Sequence, residues 1–227
     1  MRLGIFMRKK LILFTVLALI FCGCSMDKRQ VQDKKEDSTP EPNVRAFQDP
    51  FTKKFLTSTK EVLPGYYPLR SKTGGYEMAF PAGGVIGERS YESREKSVEL
   101  LMATEHVKNF DPIKEVSASL KIDYFSYYDK ETINSSLKRV PAEYDNKLVL
   151  RKLPLKDREI YWSTYTLTEN KHEYYGVAGY IQNTVNTGGI YFSYEFTCNP
   201  GFDKCQQLEQ EFKQKTALNW VKHITFK

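Results

Sequence analysis

Residues 158–197 constrain the fold most, because three aromatic, β-branched runs follow one another with only turns between them. Residues 159–167 (EIYWSTYTL), 173–184 and 190–197 have strand composition. Asn170-Lys171-His172 separates the first two, and Val185-Asn186-Thr187-Gly188-Gly189 the last two. Parallel strands need a crossover of about a dozen residues or more, so gaps this short allow only an antiparallel meander. The Gly188-Gly189 pair supplies positive φ cheaply at the second turn. Period-two alternation puts Ile190, Phe192, Tyr194 and Phe196 on one face, the expected core, and Tyr191, Ser193, Glu195 and Thr197 on the other.

Other segments extend the pattern. Residues 75–81 (GYEMAFP) read as a strand stopped by a Pro-Ala-Gly-Gly turn, and residues 97–105 alternate Val98, Leu100 and Met102 on one face. Residues 117–128 are also strand-like. Asp129 is placed to cap a short helix through Lys138 that ends at Val140-Pro141. Asp203 and Gln206 form a capping-box pattern for a helix to about Leu218, with Leu208 and Phe212 on one face. Residues 220–226 read as a final strand or a packed tail. The expected class is α+β, a mainly antiparallel sheet packed with helices, in a single globular domain over residues 46–227.

The N-terminus is of a different kind. Arg2, Arg8, Lys9 and Lys10 precede an apolar run at 11–21, the length of a signal-peptide core and short of the roughly 20 residues that span a bilayer. Either Met1 or Met7 serves as a start. The following Leu19-Ile20-Phe21-Cys22-Gly23-Cys24 resembles the lipobox of bacterial lipoproteins, with Gly23 as the small residue before the cysteine and Phe21 where Leu, Val or Ile is usual. The resemblance implies a signal peptide over 1–23 and lipidation of Cys24 with acyl chains, palmitate among them. It also implies residence on the extracytoplasmic face of the cell membrane. Residues 24–45 are charged and proline-bearing, and read as a flexible tether. The whole chain carries +6, but four of its 34 basic residues and none of its 28 acidic ones precede Cys24. The remainder is close to balanced, which argues against nucleic acid as a partner.

After Cys22 and Cys24 only Cys198 and Cys205 remain. An even pair around a Pro-Gly turn in an exported chain reads as a local disulfide. A metal pair would need further ligands, which the flanking residues do not offer, and a redox pair more often has Cys-x-x-Cys spacing. His106, His172 and His223 stand outside any ligand spacing, and no nucleophile elbow or phosphate-binding loop is found. The expectation is therefore no metal, no cofactor and no catalytic residue. The tyrosine surplus remains. Tyr174, Tyr180 and Tyr191 form a candidate binding surface on the outer face of the meander, the alternative being rings packed between sheet and helices.

The order of segments resembles the PsbP/Mog1-like α/β/α sandwich group across residues 65–227. The matching features are the Gly-Tyr-x-x-x-Phe-Pro segment at 75–81, a strand–helix unit, the meander, a C-terminal helix and the Ile224-Thr225-Phe226 ending. The resemblance implies a binding or assembly factor without enzymatic activity. Its partners would be the membrane through Cys24 and an envelope protein or cell-wall glycan. An enzyme acting on cell-wall or peptide substrates is the alternative.

Overall fold

The computed structural model describes residues 40–106, 116–144 and 147–227. The signal peptide, Cys24 and the tether up to residue 39 lie outside the described residues. In chain order the elements are α1 (Arg45–Gln48), α2 (Pro50–Lys53), β1 (Tyr66–Arg70), β2 (Tyr76–Pro81), β3 (Gly84–Ile86), β4 (Glu92–Arg94), β5 (Val98–His106) and β6 (Val116–Phe125). Helix α3 (Ile133–Ala142) follows, then β7 (Arg151–Pro154), β8 (Arg158–Glu169), β9 (His172–Asn183) and β10 (Gly189–Cys198). The C-terminal helix comprises α4 (Cys205–Glu211), a π-helical turn (Phe212–Thr216) and α5 (Ala217–Lys222), before the two-residue β11 (Thr225–Phe226).

Strands β8, β9 and β10 form the meander that their spacing demands, and it lies within a larger sheet of order β3-β5-β6-β10-β9-β8-β7, with β4 on β5. A second sheet has the order β1-β2-β11, and every pairing in both is antiparallel. The β8–β9 turn has Asn170 and Lys171 at φ of 51° and 69°, the left-handed pair of a tight hairpin.

The inner face of the large sheet carries the main core. Ile190, Phe192, Tyr194 and Phe196 are buried there, as their alternation predicts, with Leu120 and Ile122 from β6 and Val177 and Ile181 from β9. Against them pack Phe212, Ala217, Trp220 and Val221 of the C-terminal helix. Trp220 is fully buried, and its indole N–H donates to the Ala79 carbonyl at 2.9 Å, so the ring carries no unpaired donor into the core. This bond also ties the helix to β2 of the small sheet.

Several local expectations differ. Asp203 does not cap: α4 opens at Cys205 after Lys204 without a side-chain cap. The helix runs on to Lys222, so Trp220 and Val221 are helical, because burying both rings and branches on the core outweighs their strand propensity. Asp129 caps a turn, accepting from the Glu131 and Thr132 amides at 2.9 and 3.2 Å, and α3 starts only at Ile133. Pro141 sits inside the last turn of α3. Residues 41–45, assigned to the tether, already join the fold: Glu41 pairs with Lys53 at 2.6 Å and Arg45 opens α1.

Candidate functional site on the outer face of the large sheet

Helix α3 covers one part of the outer face of the large sheet. Its inward residues are Ser136 and Val140, and the layer beneath is unusually polar for a helix–sheet contact. Tyr191 is 9% exposed and donates its phenol to Ser136 Oγ at 2.8 Å. Arg139 lies over the Tyr191 ring at 4.3 Å and reaches Asp123 at 3.3 Å, and Lys121 is also 3.3 Å from that carboxylate. Tyr180, fully buried, has its ring 4.9 Å from that of Tyr191 and tilted by 49° to it, and donates to Gln182 at 2.6 Å. A cleft at the edge of α3, lined by Lys121, Glu143, Tyr144, Tyr191 and Ser193, has room for about one water molecule.

Beyond α3 the outer face is accessible. Strand register sets its residues in rows. One row runs Thr104–Ser119–Glu195–Gly176–Tyr165 across five strands, and the next runs Ser117–Thr197–Tyr174–Leu167. Thr104, Ser117 and Ser119 are exposed, and Tyr174, Glu195 and Thr197 are partly so. Gly176 is buried beneath Tyr165, which reaches across it to donate to Glu195 at 2.8 Å. A Cβ at Gly176 would come within 2.5 Å of the Tyr194 carbonyl and 2.9 Å of the Tyr165 hydroxyl, so only glycine admits this bridge.

On the inner face, two acids of β5 meet the small sheet. Glu99 is fully buried and accepts from the Thr73 and Lys72 amides at 2.9 and 3.2 Å and from the Tyr76 hydroxyl at 3.4 Å. Glu105 accepts the Tyr194 hydroxyl, and Tyr66 of β1 is hydrogen-bonded to the same phenol. Desolvation pushes the Glu105 carboxyl up to about 7, against a Tyr194 bond that favours the charged form. These acids were missed because residues 97–105 show Val98, Leu100 and Met102 as their apolar set. That set does share a face, but it is the outer one: Met102 is 47% exposed, while Leu101 and Ala103 point inward with both acids.

The expected binding tyrosines are divided. Tyr180 and Tyr191 lie under α3, which corrects the idea of an open surface built on all three and matches the alternative of rings packed between sheet and helix. Only Tyr174 belongs to the open rows. Cys198 and Cys205 are at disulfide distance, with Cα atoms 6.1 Å apart, joining the end of β10 to the start of α4. His172 opens β9 and His223 follows α5.

Two antiparallel sheets, a C-terminal helix on the inner face and a short helix across part of the outer face define an α+β domain with one open sheet surface. The chain belongs to the YvcA_Mog1p family, described as "Putative lipoprotein YvcA", whose profile matches residues 42–225. It is 28% identical over 236 residues to the protein of that description from Bacillus subtilis (strain 168), across 95% of each chain. Among solved structures, one from Bacteroides thetaiotaomicron VPI-5482 aligns with a TM-score of 0.38 and 15% identity. That alignment covers 73% of this chain and 49% of the other, so the chain spans about half of that structure's length.

Proposed function

We propose that this chain is a lipoprotein held by acyl chains on Cys24 at the extracytoplasmic face of the cell membrane. There it acts as a non-enzymatic binding or assembly factor of the envelope. The anchor rests on the lipobox-like run ending at Cys24, on the description of its family and on the Cys198–Cys205 pair, a bond suited to an oxidising compartment. Acyl chains contribute about 0.8 kcal/mol per buried methylene, so several chains on one cysteine retain a domain of this size at the membrane. The observation that carries the binding role is the accessible part of the outer sheet face on β5 and β6, where Met102, Thr104, Ser117 and Ser119 are solvent-facing. Such a surface suits contact with an extended partner.

Labelling of growing cells with a clickable palmitate tests the anchor. The wild-type chain takes up label and pellets with membranes, whereas Cys24→Ala takes up none. Label on Cys24→Ala would refute the assignment.

A second reading, an enzyme acting on cell-wall or peptide substrates, draws on Glu105 alone. Its carboxyl lies near 7 and contacts a phenol, a pairing suited to general acid–base work. Turnover of a cell-wall substrate that disappears in Glu105→Gln would favour this reading over the first.

A further inference from the structure

We draw no further inference here: the strongest candidate, the surface patch of partly exposed apolar side chains Val98, Leu100 and Met102 on the outer face of β5 beside the Phe125–Tyr127–Tyr128 ring cluster, is an unpartnered face, and nothing among the described residues shows what covers it.

Discussion

Glu105 offers the sharpest physical test of this structure. Its carboxyl is raised from an ordinary 4.5 to about 7, chiefly by desolvation, so the folded protein holds a proton that the unfolded chain releases earlier. Stability must then fall as pH rises through that window, because folding keeps the proton at a growing cost, and it must level off above about 7. The shift corresponds to about 3 kcal/mol between pH 4 and pH 8. Glu105→Gln keeps the shape and an acceptor for the Tyr194 hydroxyl but cannot ionise. Urea unfolding at pH 4 and pH 8 should show the variant gaining on wild type by up to about 3 kcal/mol at the higher pH, a rise in Tm of roughly 6–12 °C. Glu99→Gln is the control on the same strand face. Glu99 accepts two backbone amides, so an amide nitrogen facing them should destabilise by about 1–3 kcal/mol. A Glu105→Gln advantage independent of pH, or larger at pH 4, would refute the reasoning.

The remaining expectations concern packing and covalent restraint. Gly176→Ala should cost about 1–3 kcal/mol, because its methyl meets a strand carbonyl that the sheet holds in place; thermal unfolding equal to wild type would show that β9 and β10 shift apart more easily than argued. Replacing Cys198 and Cys205 together by serine should cost about 2–3 kcal/mol, since the pair closes a short loop. Equal urea midpoints for the oxidised and reduced wild-type protein would contradict that.

Period and spacing alone determined the meander. Residues 158–197 leave no room for crossovers, Asn170-Lys171 favours a tight turn, and Ile190, Phe192, Tyr194 and Phe196 share a face in any strand. The family likeness of the domain and the Cys198–Cys205 pairing were legible for the same reason: both rest on short-range patterns. What covers a face is a different matter, because alternation says which side chains travel together and nothing about what arrives from elsewhere in the chain. Tyr180 and Tyr191 were assigned to the correct side of β9 and β10, yet α3 brings Ser136 and Arg139 over them and leaves Tyr174 at the accessible end. On β5 the apolar residues pointed to one inward face and the structure chose the other. Glu99 can be buried only where the Lys72 and Thr73 amides await it, and Glu105 can be half-buried only beside Tyr194, partners at sequence separations of 27, 26 and 89. A desolvated carboxylate is tolerated when donors converge on it, and that convergence is a property of tertiary structure.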